Sequence, residues 1–429
     1  MGRRTFLRVA ASGLIVTGYA GALTAGCGGS TASRTIPLTG TEPGTTGTEP
    51  STTGSVGVRP RAPYEVSFLF GVKEGRRAAA AVAYASAAPR RGRQTGVVGV
   101  EDAGLGKINN LGEVAALLTD QPPDNRSEAG IYRNGTLINA NLPSYSIFGR
   151  YESSFPRDLN DRGQLLIQRM EGNPRLYLWD NGVTALVPLP YDQIQYFFGE
   201  AINNHAHLVG SASHPDKSQQ LGVRTGAFIW KDGKLNVFGQ QGSVGQGIND
   251  AGQIVGSETP PVTLPGPPES RAVLWQNETA SPVELGVKAT GGDIRTSINQ
   301  DGAVLIVIFL SGADFQYTVM NYLWVPESPN AARGNLSRLD GVPEKFYASD
   351  FNRRRDIVGN DGDYDESTPY LIPVGEPPVN LNGLIAPDSG WVLEKAHSIN
   401  DVGQITGRGY YTNPAGEKQY AAFLLTPTA

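Results

Sequence analysis

Cysteine is almost missing from this chain: Cys27 is the single copy among 429 residues, which excludes an internal disulfide and a thiolate metal cluster. Histidine is scarce, with four copies, and neither a Gly-x-Ser-x-Gly elbow nor a His-Glu-x-x-His helix occurs. The usual nucleophile and zinc signatures are therefore lacking, and the chain is expected not to be an enzyme. One enzymatic alternative stays open, a polysaccharide-active protein, because the separation of two catalytic carboxylates is not written in a sequence. A basic excess is lacking too. The formal net charge is -5, which does not favour a nucleic-acid partner, since phosphate binding needs a basic face. What is plentiful is Gly, 54 copies, and Pro, 30, beside only 3 Met, a composition of many short strands and turns.

The first 26 residues differ from the rest. Arg3, Arg4 and Arg8 precede an apolar run from Val9 to about Ala25, and small residues then lead to Cys27. The run is too short for a membrane span and reads as an export signal. "RRTFLR" resembles the twin-arginine export motif, with Arg3 and Arg4 as its pair, and "LTAGC" resembles a lipobox. The resemblance implies cleavage before Cys27, acylation of its sulfur and anchoring to the bacterial cell envelope. The choice between inner and outer membrane stays open. Simple secretion with an incidental cysteine is the alternative. Residues 27–62 then hold Gly, Ser, Thr and Pro with hardly any large apolar side chain, the composition of a flexible tether. The folded part is expected over 63–429.

Within it one phrase recurs. "QGINDAGQIVG" around Asn249 has counterparts at Asn109, Asn160, Asn203, Asn299, Asn352 and Asn400, a period of 43 to 53 residues. A period of that size belongs to propeller blades. Asn suits the first position of a tight turn and Gly the fourth. Five copies place Gly there, whereas Ala206 and Arg355 break the pattern and predict differently shaped turns. A second phrase follows each copy, as in "AFIWKDGKL" and "LYLWDNGVT", and reads as another hairpin. Two hairpins make one four-stranded blade. The last copy lacks a fourth strand, and Tyr64–Phe70 is a strand without a hairpin, so the N-terminal strand is expected to complete the last blade. The predicted fold is an all-β, seven-bladed β-propeller of four-stranded antiparallel blades, monomeric, with the sheet edge removed by closure.

The phrases "INDAGQIVG" and "AFIW", with the C-terminal run from Val379 to Pro427, resemble the HAF-type extracellular repeat of bacterial secreted proteins. The resemblance implies an extracytoplasmic repeat protein and carries over no catalytic residue.

Tight turns at one end of the blades leave the long, varied loops to the other, where binding on a rigid scaffold usually sits. The aromatic stretches "SYSIFGRYESSF" and "PYDQIQYFFGE" supply Tyr145, Tyr151, Tyr191, Tyr196 and Phe197, and Tyr410 lies in the last long loop. Rings among amides and charges suit a cell-surface glycan or a peptide; packing between blades is the competing reading. Trp179, Trp230, Trp275 and Trp324 recur at one point of the second phrase and are assigned to packing. Asp361, Asp363 and Asp365 alternate in a manner that suits Ca2+, although Glu366 and Ile372 depart from a calcium loop, and a solvated acidic loop is the alternative. No other cofactor is expected. His205 and His207 could face one metal only if their segment were a plain strand. An Ala-rich, basic insertion at 71–99 reads as a solvated excursion or as a contact for anionic polymer or lipid.

Overall fold

The computed structural model describes residues 64–73, 107–119, 127–142, 146–147, 150–151, 153–170, 175–188, 197–215, 223–259, 269–311, 317–362 and 367–428. They form an all-β propeller of seven blades. Blade 4 is typical: Val244–Ile248, Ile254–Glu258, Glu269–Trp275 and Val283–Thr290 pair in that order, each antiparallel to the next. Blades 2, 3, 5 and 6 repeat this order over 153–186, 197–238, 292–338 and 346–380. Blade 1 shows three strands over 114–139, and a bridge from Ile108 to Val114 marks the place of a first one. A two-stranded ribbon, Ser146–Ile147 with Arg150–Tyr151, lies between blades 1 and 2 in the chain.

The expected closure is present. Tyr64–Lys73 pairs antiparallel with Lys418–Pro427, Tyr64 opposite Pro427 and Gly71 opposite Ala421, as the outermost strand of blade 7. The strand has no local partner among the described residues; this pairing satisfies its backbone, and Tyr64 N donates to Leu384 O at 2.8 Å where the strand begins.

Apolar residues fill the gaps between blades. Each blade junction has its own buried cluster. Leu159, Leu165, Ile167 and Trp179 pack on Ala115, Ala129 and Ile131 between blades 1 and 2, and Leu69 packs with Val114, Leu117 and Ala422 between blades 7 and 1. Trp179, Trp275 and Trp324 are buried in three of these junctions and Trp230 packs against a fourth, which is the packing role assigned to them.

The recurrent Asn explains why the phrase repeats. Within each copy its Oδ1 accepts the backbone N–H four residues on, as from Gln253 at 3.0 Å and Gln404 at 2.8 Å. Its Nδ2 then donates to the carbonyl of the Asn in the next blade. Asn109 reaches Asn160 at 2.9 Å, Asn160 reaches Asn203 at 2.8 Å, and Asn203 reaches Asn249 at 3.0 Å. Asn249 donates to Asn299 at 3.3 Å, Asn299 to Asn352 at 3.2 Å, and Asn352 to Asn400 at 3.2 Å. Asn400 returns to Asn109 at 3.0 Å and shuts the circle. All seven corners therefore share one rim.

The other letters of the phrase have separate causes. The turn's fourth residue is left-handed, φ +81° at Gly252 and +86° at Gly403. Ala206 (φ 61°) and Arg355 (φ 73°) adopt the same conformation and donate the same turn bonds, so the expectation of differently shaped turns is corrected. The Asn ring holds these two turns against the local preference of their side chains. The closing Gly of "IVG" answers a close approach instead: a Cβ at Gly256 would lie 1.8 Å from the Val244 carbonyl oxygen, and one at Gly407 would lie 2.0 Å from that of Lys395. Asn134-Gly135, Asn181-Gly182 and Asp232-Gly233 have positive φ at both residues, the type I′ geometry expected of the second hairpins.

Asn249→Ala is expected to cost about 2–3 kcal/mol, because it removes turn bonds and one link of the ring in a fully buried place. Asn413→Ala is its control. Asn413 caps an equivalent turn at the far rim, accepting from Glu417 N at 2.9 Å while its Nδ2 donates to the Glu417 carboxylate of the same turn, and its loss should cost about 1 kcal/mol in denaturant melts. Gly252→Ala, where a Cβ would meet nothing within 4 Å, should cost about 1 kcal/mol through φ alone. Gly256→Ala should cost more, and Arg355→Gly should raise the melting temperature.

Candidate functional site

The first strand of each blade is the sheet edge nearest the axis; those of blades 2 to 5 contact one another in succession, as do those of blades 6 and 7. An edge strand carries unpaired N–H and C=O groups. Near the Asn rim, the side chains two residues before three of the Asn corners, Asp158, Asp350 and Ser398, meet some of them. Asp158 accepts the N–H of Ile202, in the next blade, at 2.9 Å. Asp350 accepts from the Ser398 hydroxyl and from Ile399 N at 3.3 Å, and the Ser398 oxygen in turn accepts from Ile108 N at 3.3 Å. Lys107 of blade 1 donates to Asp350 of blade 6 at 3.0 Å, past the intervening blade.

This axial cluster has unusual electrostatics. Burial holds the Asp158 carboxyl above its ordinary value, against Lys107 and two backbone N–H groups, with Asp350 adding to the rise. Burial alone would lower the Lys107 ammonium, but Asp350 and then Asp158 outweigh it and raise it. The Lys107 side chain keeps 43% of its surface accessible, so solvent screens the pair. The Ser398 hydroxyl is engaged both as donor and as acceptor, which makes it a bridge between blades 6, 7 and 1. These residues tie blades together, a role their spacing in the sequence did not disclose.

The opposite rim receives the ends of the second and third strands. Of the aromatic residues picked out there from sequence, Tyr145, Tyr191 and Tyr196 lie outside the described residues, and Tyr151 ends the small ribbon. Phe197 is buried at 1% exposure with its ring 4.8 Å from that of Phe228, in the core between blades 2 and 3, so packing claims it and no ligand reaches it. Tyr410 is half-buried and lies directly across from Tyr420, with ring centroids 5.1 Å apart. Lys418 Nζ sits 3.6 Å from the centre of the Tyr410 ring, and the Arg408 guanidinium lies 5.6 Å from that of Tyr420. Burial raises the Glu394 carboxyl, opposed by Arg408, Lys418 and Lys395. Two rings, two cations and a carboxylate thus meet in blade 7. Only Tyr410 was singled out in the sequence; Tyr420 and Lys418 come to it through strand register.

The metal readings fare differently. Asp361 ends the second strand of blade 6 and accepts from Lys345 N at 3.1 Å, while Asp363 and Asp365 lie outside the described residues. The His205 and His207 rings stand 5.7 Å apart across the turn, and burial lowers His207. Among the described residues no group of three metal-ligating side chains converges. Arg3, Arg4, Cys27 and nearly all of 71–99 lie outside the described residues, and no described helix is long and apolar enough to cross a membrane.

The two axial shifts act in one direction. An acid with a raised folded value contributes most below its ordinary 3.8 and loses that contribution as pH rises through the raised value. An amine with a raised value contributes fully below 10.5 and loses it as pH climbs past the folded value. Asp158→Asn, which keeps the acceptor for Ile202 N, should therefore gain stability relative to the parent between about pH 4 and about pH 7. Urea melts at the two pH values read this; a relative loss would contradict it.

No family model matches the sequence, and no curated protein matches it. Solved structures share the fold. TolB from Acinetobacter baumannii aligns at 11% identity over 61% of either chain, with a TM-score of 0.39. The propeller domain of the trilobed protease from Pyrococcus furiosus aligns at 14% identity over 65% of this chain and 95% of its own, TM-score 0.37. A puromycin-hydrolysing peptidase from Mycobacterium tuberculosis aligns at 10% identity over 74% of this chain and 53% of its own, TM-score 0.45. The matches thus span less than two thirds of TolB and of the peptidase. Likeness at this level concerns the propeller fold alone.

Proposed function

We propose that the chain is an exported, lipid-anchored propeller that binds a glycan or a peptide at the rim opposite its Asn ring, without catalysis. The observation that carries this reading is the blade 7 cluster, where Tyr410 and Tyr420 lie in tilted contact beside Lys418, Arg408 and Glu394. Paired rings offer apolar area at little entropic cost, and the flanking charges orient a polar ligand. A closed ring at the other rim gives them a rigid base. The export signal, the lipobox-like "LTAGC" and the resemblance to HAF-type extracellular repeats support the envelope address.

Glycan-array and peptide-array binding of the mature chain tests the proposal. Tyr410→Ala should weaken the best ligand about tenfold or more, roughly 1.4 kcal/mol, with melting unchanged within about 0.5 kcal/mol. Turnover of a bound glycan would favour the enzymatic alternative. Tight binding that ignores Tyr410→Ala would move the site elsewhere.

A further inference from the structure

We infer that the Asn rim, over blades 6, 7 and 1, is a membrane-contact face that rests on a phospholipid surface; the inference builds on the proposed lipid anchor. Two independent observations meet there. The first is where the chain enters the fold. Tyr64 pairs with Pro427, and a Cβ at Gly403, in the Asn400 turn, would lie 3.4 Å from Pro427 and 3.9 Å from the Tyr64 hydroxyl. Residues 1–63, with Cys27 among them, therefore join the fold at the Asn rim, on blade 7.

The second observation is the surface itself. Leu111 is 65% exposed, Val402 58% and Val374 50%, among the few large apolar side chains the described surface leaves so open. Hydrogen bonds and close approaches link the turns that carry them. Asn110 Nδ2 donates to Asp401 at 3.0 Å, which sets Leu111 and Val402, each one residue further on, side by side. Arg354 lies 3.1 Å from the Cβ position of Gly403 and donates to Asp356 at 3.1 Å, and Asp356 also accepts Val374 N at 3.3 Å. The equivalent turn positions of blades 2 to 5 are Arg162, His205, Ala251 and Asp301, so this position carries a large apolar side chain in blades 1 and 7; beyond the arc over blades 6, 7 and 1, Val183 in the outer hairpin of blade 2 is 68% exposed on the same rim. Arg353, Arg354 and Arg355 line the arc, and Arg355 has no ion pair among the described residues. Short apolar side chains flanked by arginines match the boundary between acyl chains and headgroup phosphates, where guanidinium groups bind phosphate oxygens. Leu111 and Val402 occupy turn corners that contribute nothing to the inter-blade clusters, which leaves packing no claim on them.

In this orientation the Tyr410 rim faces away from the bilayer. The test uses the lipidated full chain reconstituted into phosphatidylglycerol–phosphatidylcholine vesicles that carry doxyl-labelled lipid. Acylation occupies Cys27, so Val402→Cys supplies the single thiol for an environment-sensitive dye, and Ala415→Cys labels the opposite rim of the same blade. Quenching should be several-fold stronger at 402 than at 415, and Leu111→Glu with Val374→Glu should reduce it several-fold without shifting the melt. Quenching at 402 no stronger than at 415 would overturn the inference. Acyl labelling of Cys27 reads the anchor separately. If Cys27 proves unacylated, the same pair of probes is read with Cys27→Ser and vesicles added from outside, and equal quenching there overturns the inference as well.

Discussion

A single hydrogen bond, made seven times, organises this molecule. The Asn amide shapes its own turn through Oδ1 and binds the next blade's turn through Nδ2, so one side chain fixes local geometry and blade order together. Neither half is worth much alone, about 1 kcal/mol net. The circle changes the sum, because each Asn carbonyl that accepts belongs to a residue that also donates. Breaking one link leaves a buried donor and a buried acceptor in adjacent blades, the costly way to lose a hydrogen bond. The link from Asn400 to Asn109 joins residues 291 apart, and with the Tyr64–Lys73 pairing it converts a row of blades into a closed body. A row would expose an edge at either end.

A second set of amides performs a related task deeper in the blades. Gln168 accepts Gly199 N at 3.1 Å and donates to the Phe197 carbonyl. Gln246 donates to Ile294 O at 2.8 Å and accepts Thr296 N at 2.9 Å. Asn321 does the same for Phe346 and Ala348, Asn360 for both groups of Ala396, and Asn382 for both groups of Leu393. In each case a primary amide copies the pairing of a peptide group and satisfies the first strand of the following blade. Strands nearest the axis are thereby paired on the side where no further strand fits. Buried amides in a β protein of this kind are parts of the sheet in chemical terms, although no strand assignment counts them.

The sequence disclosed what has a period. Seven Asn corners, the Gly of five turns, the Asn-Gly and Asp-Gly hairpins and the closing N-terminal strand all follow from a pattern recurring every 43 to 53 residues, and all are found in place. Properties set by register across strands stayed hidden. Phe197 read as a surface ring because it lies in the aromatic, amide-rich stretch "PYDQIQYFFGE", yet it opens a strand whose alternate residues face the core. Tyr410 and Tyr420 are ten residues apart in the chain and become neighbours only once the hairpin at 413–417 sets their pairing. Ala206 and Arg355 misled for a different reason. Local preference argued against left-handed φ, and a tertiary bond ring overrode it at a cost of about 1 kcal/mol per site. The n−2 residues Asp158, Asp350 and Ser398 share a position in the repeat but not a residue type, so no motif announced them.

Closure at one rim also explains why the repeat tolerates uneven length. The spacing between successive Asn corners varies from 43 to 53 residues, as the bonded pairs Asn160–Asn203 and Asn299–Asn352 show, yet every corner must reach the next within hydrogen-bond distance. Extra residues enter where the ring does not constrain the backbone: at the opposite rim, between second and third strands and between blades, and in the turns from third to fourth strand, two residues at 134–135 but seven at 276–282. Variation is thus kept out of the Asn turns themselves. The same constraint separates the two ends mechanically: a substitution in a far-rim loop leaves the Asn circle and the seven apolar junctions untouched. A scaffold with this division can change its far-rim loops without renegotiating how it folds.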